Sequence, residues 1–267
     1  MEEHPAERGG KHPLMRMFLI GAIASAIGVA AGLAIDWFPT DATSSADEID
    51  TLWDVLIIVS VPIFVLVMTV AIYSVIRFRA RPGDKSDGAP IHGNARLEVI
   101  WVLVPTLIVA SLAAYAWIVL DNVEAKKANE LIVDVQGQQF TWTFDYPNPG
   151  GGAKPVKAAQ QLWLPKDRPV YFRIHTKDVI HSFWVPQFRL KSDAVPGITT
   201  RVRVTPDKVG SYQVVCTELC GLGHATMRQT VRVVPPADFQ AWARRGGKVG
   251  AGGAGAPAAG AAEGPQG

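Results

Sequence analysis

Three long apolar runs dominate the first half of the chain, and short alternating runs fill most of the second. Residues 14–35, 55–76 and 99–120 each come close to the ~20 apolar residues that cross a bilayer as a helix, and the last two contain no charged residue. Pro62 and Pro105 fall inside these two segments. Proline breaks an exposed soluble helix but is tolerated where neighbouring membrane helices satisfy the freed backbone, so the pair predicts a transmembrane helix hairpin packed on a partner. From Leu131 to Val234 the period changes to two, in L-I-V-D-V-Q, V-Y-F-R-I-H-T, T-R-V-R-V-T, S-Y-Q-V-V-C and Q-T-V-R-V-V. Turn signals P-N-P-G-G-G, P-K-D-R-P and P-D-K-V-G separate these runs. About 100 residues of such strands make a β-sandwich or a small Greek-key β-barrel. After Arg245 the sequence turns to Gly, Ala and Pro, a composition too poor in large apolar side chains to order itself.

The patterns divide the chain into an N-terminal region (1–50), a transmembrane helix hairpin (51–122), a β-domain (123–238) and a disordered tail (239–267). The expected fold class is a membrane-anchored α+β protein. Its first apolar segment has two readings, because the basic stretch of Arg8, Lys11 and Arg16 around its start fits a secretory signal peptide as well as a retained third span.

Charge sets the orientation. The loop between the second and third segments carries Arg77, Arg79, Arg81, Lys85 and Arg96, whereas the link before the second carries Asp36, Asp41, Asp47, Glu48 and Asp50 with no Lys or Arg. The positive-inside rule puts the basic loop in the cytoplasm and everything after residue 120 outside. A net charge of +2 and a mean hydropathy of +0.15 over 267 residues describe neither a disordered chain nor a uniformly basic nucleic-acid binder.

The chemistry concentrates in twelve residues, C-T-E-L-C-G-L-G-H-A-T-M, which hold Cys216, Glu218, Cys220, His224 and Met227 and the only two cysteines of the chain. Two thiolates, an imidazole and a thioether are soft to borderline ligands suited to copper, zinc or iron, and a weak thioether beside Cys and His marks copper electron-transfer centres. A mononuclear blue-copper site needs one Cys, so the second suggests two coppers sharing both sulfurs. A pair of cysteines in an exported domain also fits a disulfide. Against that stand the spacing of His224 and Met227 and a further imidazole, His181, in the apolar strand end D-V-I-H-S-F-W-V-P. His175, in Y-F-R-I-H-T-K, reads as a strand or surface residue, and His4, His12 and His92 lie outside both motifs.

Taken together, D-V-I-H-S-F-W-V-P and C-T-E-L-C-G-L-G-H-A-T-M resemble subunit II of the haem-copper cytochrome c oxidases, which carries the binuclear copper A centre in a cupredoxin domain. The likeness extends to K-S-D-A-V-P-G (Lys191 to Gly197) and Q-Q-F-T-W-T-F-D-Y-P (Gln138 to Pro147) and covers roughly residues 50 to 235. It implies that Cys216 and Cys220 bridge the coppers, that His181 and His224 each bind one, and that Met227 and the Glu218 carbonyl are weak ligands. It further implies that the Glu218 carboxylate helps hold a Mg2+ shared with subunit I. Glu98 matches a position at the mouth of a proton-uptake path, although the helix dipole alone also favours an acid there.

Implied partners are subunit I, subunit III, a c-type cytochrome donor and the bacterial cell membrane, with the copper domain on the outer side. The implied function is to accept electrons singly and pass them to haem in subunit I of an aa3-like oxidase, where oxygen is reduced to water with proton pumping. No C-x-x-C-H occurs, so no haem is expected in this chain, and no catalytic residue for oxygen chemistry either. Two departures stand out. The electron-inlet patch, usually Q-W-Y-W, here reads Gln139, Phe140, Thr141, Trp142, leaving Phe140 and Trp142 as the inlet candidates. Between Asp121 and Arg245 there are 17 Lys and Arg against 11 Asp and Glu, an unusual sign for a strongly basic cytochrome. A nitric oxide reductase with a copper A subunit and a membrane-anchored copper-delivery protein are the rival functions. The second would use an exposed, exchangeable Cu(I) site rich in Met or Cys, against which the full six-ligand set argues.

Overall fold

The computed structural model describes residues 13–79, 83 and 92–248. His4, Arg8, Lys11, His12, Arg81, Lys85 and the chain beyond residue 248 lie outside them. Three helices, α1 (Pro13–Ala34), α2 (Ala46–Arg77) and α3 (Ala95–Glu124), occupy the three apolar segments and are long and apolar enough to cross a membrane. α2 and α3 run on through Pro62 and Pro105. Next to Pro105, the Thr106 hydroxyl donates to the Val102 carbonyl at 2.6 Å, one of the side-chain bonds by which membrane helices accommodate proline.

The described chain falls into two compact units. In the helical unit, α1 lies against α2: a Cβ on Gly28 would sit 2.8 Å from Val61 and one on Gly32 2.7 Å from Ile57. Trp37 follows α1, donates from Nε1 to the Gly32 carbonyl and meets Trp53 edge-on at 5.8 Å.

The second unit joins Phe38–Ile49 to the described residues from Trp117 onward. Its strands are β1 (Leu131–Gln138), β2 (Thr141–Tyr146), β3 (Val156–Ala159), β4 (Leu162–Pro165), β5 (Val170–Thr176), β6 (His181–Trp184), β7 (Lys191–Ala194), β8 (Thr200–Val204), β9 (Gly210–Cys216) and β10 (Arg228–Val234). They form two five-stranded sheets, β3-β2-β1-β5-β8 and β4-β10-β9-β6-β7. The β1–β5 and β4–β10 pairs are parallel and the rest antiparallel. This is the sandwich form of the cupredoxin-like fold. Alternation along the strands builds its core: Leu131, Val133 and Val135 of β1, Trp142, Phe144 and Tyr146 of β2, and Val170, Phe172 and Ile174 of β5 are all fully buried.

Two features extend the β-domain past the boundaries read from the sequence. Ahead of it, the acidic link is pinned to the sandwich: Ala42, Thr43 and Ala46 are buried, Thr43 bridges to Pro206, and Lys208 reaches both oxygens of Asp41 at 2.7 Å. That hydrogen bond, working against partial burial, lowers the Asp41 pKa. Behind it, ordered structure continues beyond residue 238 as a helix, α4 (Pro236–Arg244), whose Phe239 and Trp242 are fully buried. The strand-only reading stops short because α4 is a single amphipathic stretch of nine residues, too short to show a repeated helical period.

Candidate metal centre

The donors come from two neighbouring strands of the second sheet. His181 opens β6 and Cys216 closes β9, and the strands pair through Phe183 opposite Cys216. After Cys216 the chain leaves the sheet and returns at Met227, immediately before β10. The Cys216 N–H donates to the Met227 carbonyl at 3.1 Å, tying the ends of this loop together. Within it, His224 begins a short 3-10 turn (His224–Thr226). Gly221, at φ +129°, takes a backbone conformation that disfavours a side chain.

All six residues expected around the copper pair converge here. Cys216 Sγ lies 3.8 Å from His181 Nδ1, 3.3 Å from the Glu218 carbonyl oxygen and 3.9 Å from Cys220 Sγ. Cys220 Sγ in turn lies 3.7 Å from His224 Nδ1 and 3.8 Å from Met227 Sδ. His181, Cys216 and Cys220 form a buried metal-competent trio, Met227 is fully buried, and His224 is half-buried. The two cysteines are free thiols; their separation is far from the ~2 Å of a disulfide.

The electrostatics of the chain suit a cation at this point. Burial, reinforced by the Cys216 sulfur alongside, pushes the Cys220 thiol up to about 11, so two thiolates here call for a positive centre between them. Burial also works to raise the Asp178 carboxyl. Hydrogen bonds from the Gln139 N–H, His181, the Val179 N–H and Thr176 outweigh it and hold Asp178 down at about 2. Asp178 Oδ1 accepts from His181 Nε2 at 2.9 Å, which leaves the Nδ1 lone pair facing Cys216. The donor set, soft sulfur with imidazole nitrogen and one carbonyl, fits copper and does not fit a hard cation.

The other candidate residues fall elsewhere. The Glu218 side chain is exposed, and among the described residues nothing bonds its carboxylate. Phe140 is 37% exposed, and its ring covers the donor loop so closely that a Cβ on Gly223 would sit 2.5 Å from it. Trp142 lies in the core. It is 0% exposed, packed edge-on against His181 at 5.8 Å and Phe183 at 5.6 Å, and has no surface from which to meet a donor. The period-two pattern of β2, which turns Trp142, Phe144 and Tyr146 inward together, is the cause. His175 lines a surface groove with Asp134 and Arg173, outside the cluster. Glu98 belongs to the helical unit, where its Oε1 accepts from the Asn94 N–H at 3.1 Å while Asn94 Oδ1 accepts from the Arg96 and Leu97 N–H groups, a reciprocal cap on α3.

Sequence reasoning missed Asp178 and Gln139. Asp178 stands three residues before His181 within the quoted motif, the one signal that could have marked it. Gln139 also stands within a quoted motif, Q-Q-F-T-W, but its bond to the donor loop arises only through the fold.

Comparison with known proteins gives two family matches, the cytochrome c oxidase subunit II transmembrane domain over residues 29–119 and the periplasmic domain of the same subunit over residues 150–234. Cytochrome c oxidase subunit 2 of Thermostichus vulcanus is 33% identical, with 84% of this chain and 83% of that protein aligned. The Synechocystis sp. subunit 2 is 30% identical over 84% of this chain and 80% of its own length. Among solved structures, the periplasmic domain of cytochrome oxidase subunit II of Bradyrhizobium japonicum is 28% identical, with a TM-score of 0.40 over 45% of this chain and 95% of that one.

Proposed function

The chain belongs to the cytochrome c oxidase subunit II family, as a subunit of a haem-copper oxidoreductase complex with its β-domain outside the membrane, and from that premise we propose that it is the electron inlet of an aa3-like, proton-pumping oxidase. In this reading it takes electrons singly from a c-type cytochrome and delivers them to haem in subunit I. The observation that carries the reading is the convergence of His181, Cys216, the Glu218 carbonyl, Cys220, His224 and Met227 within contacts of 3.3 to 3.9 Å. These six residues would hold the copper, which would supply one-electron redox chemistry.

The chain's own residues set the conditions for it. His181 and Met227 exclude water from the inner side of the cluster because both are fully buried, and the Cys216 to Met227 backbone bond keeps the loop ends from moving. Fixed donors keep reorganisation small as charge changes. Phe140, Leu219 at 79% and Leu222 at 104% exposure give the loop an apolar outer surface on which a redox partner can seat. The free Glu218 carboxylate suits Mg2+, with remaining ligands from subunit I and water.

Rapid mixing of the purified oxidase with reduced cytochrome tests the assignment. The copper band of this subunit should bleach before the haem of subunit I is reduced. Haem reduction that precedes or ignores the copper band would refute the inlet role.

The donor's charge follows from the surface. With 17 basic against 11 acidic residues between 121 and 245, an acidic cytochrome should reduce the oxidase faster at low salt, and added salt should slow it, whereas a neutral one should show little salt dependence. Faster reduction by a strongly basic cytochrome at low salt would contradict this.

Glu98 also has a testable proposal, separable from its capping role. Glu98→Gln keeps an oxygen to accept from the Asn94 N–H but cannot ionise. If Glu98 feeds a proton-uptake path, Glu98→Gln slows turnover as much as Glu98→Ala, with copper spectra unchanged in both. Normal turnover in Glu98→Gln would leave it a cap alone.

A further inference from the structure

The donors reach the cluster from two separate segments, His181 from β6 and the other five from the end of β9 and the loop after it. The two segments share the β6–β9 pairing on the Cys216 side. No strand pairing reaches Cys220 and His224, which lie beyond the end of β9.

A third segment spans that gap. The turn between β1 and β2, in the opposite sheet, carries Gln139 and Phe140 over the loop. The Gln139 side-chain amide donates from Nε2 to the Cys220 carbonyl at 2.6 Å. Its backbone N–H donates to Asp178 Oδ2 at 2.8 Å, and the other Asp178 oxygen accepts from His181 Nε2 at 2.9 Å and from the Val179 N–H at 2.8 Å. One residue is thus bonded at one end to the loop and, through one carboxylate, to the imidazole. The Phe140 ring lies against Gly221 and Gly223, each of whose added Cβ would fall within 3.2 Å of it. Across the imidazole, a Cβ on Gly137 would lie 3.0 Å from His181 Cδ2, so the ring is held from that side too. His224 has no such partner: among the described residues no side chain bonds its other ring nitrogen.

We propose that Gln139 and Asp178 are positioning residues that brace the two halves of the donor cluster, keeping His181 Nδ1 aimed at Cys216 while holding the Cys220 end of the loop at a fixed distance from it. The brace rests on the copper reading above and adds to it an asymmetry: the outer ring nitrogen of His181 has a carboxylate partner, and among the described residues that of His224 has no side-chain partner. Partners that orient a metal-binding imidazole typically change metal affinity by about 10–100-fold when removed.

The test uses the purified oxidase complex carrying Asp178→Ala, Asp178→Asn or Gln139→Ala. Copper affinity is measured by chelator competition and the centre by electron paramagnetic resonance. Asp178→Ala and Gln139→Ala should each weaken copper retention by roughly 10- to 100-fold and shift the copper hyperfine pattern. Asp178→Asn, which keeps one oxygen to accept from His181 Nε2 but turns an NH2 toward the Gln139 N–H, should recover part of the loss. In metal-free protein, nitrogen NMR of His181 should show one tautomer, protonated at Nε2, and a mixture in Asp178→Ala. Wild-type copper retention and spectra in both alanine variants would overturn the brace, as would an Asp178→Asn variant no better than Asp178→Ala. Should Asp178→Ala fail to fold, Gln139→Ala decides, because that side chain is exposed. A wild-type complex without two coppers would refute the copper reading itself, and the brace with it.

Discussion

Cys220→Ser is expected to abolish the two-copper signal and to slow electron uptake from cytochrome by more than roughly 100-fold, beyond what loss of an outer-shell partner costs. Cys220 is the hub of the cluster: its sulfur meets Cys216, His224 and Met227 at 3.7 to 3.9 Å. A serine oxygen is shorter, harder and far less acidic than a thiol, so it cannot bridge two soft cations. The fold should survive, because the residue lies in a loop beyond the end of β9. Metal analysis should therefore find at most one copper at this site, beyond the copper of the haem-copper partner subunit, in a normally assembled complex with haem spectra intact. Near-normal electron uptake in this variant would mean that the donor delivers its electron elsewhere.

The second large effect concerns stability. Trp242→Ala should lower the stability of the β-domain by about 3–5 kcal/mol, the range for truncating a buried tryptophan. Trp242 is fully buried, stacks on Trp163 at 5.4 Å with ring planes 7° apart and meets Tyr146 edge-on at 5.0 Å. Tyr146 is itself anchored in both directions, donating to the Trp163 carbonyl at 3.0 Å and accepting from its N–H at 2.8 Å, and burial raises its pKa. Removing the indole would leave a void beside β2 and β4 and release α4 from the sandwich. Thermal loss of the copper band in the purified complex should move down by on the order of 10 °C, with Trp242→Phe falling between. An unchanged midpoint would show that α4 contributes nothing to the domain.

Much of this architecture was legible in the residues. Three uncharged or nearly uncharged runs became three helices, and the period-two stretches became strands, because each signal repeats often enough to dominate its window. The donor loop was legible because its five residues are close in sequence, and His181 because its motif is distinctive. What escaped notice depends on contacts between distant segments. Gln139 reaches Cys220 from 81 positions away, and nothing in a lone glutamine announces that. The acidic link shows no strand or helix period, yet its small residues Ala42 and Ala46 slot into the domain, a fit invisible to hydropathy. Trp142 is buried because the alternation of its own strand turns it inward with Phe144 and Tyr146.

The most direct test of the central claim is copper counting on the purified complex together with its electron paramagnetic resonance spectrum. Two coppers per chain sharing one unpaired electron is the predicted result. One copper per chain with a single-copper spectrum, or a disulfide between Cys216 and Cys220 in the loaded complex, would contradict it.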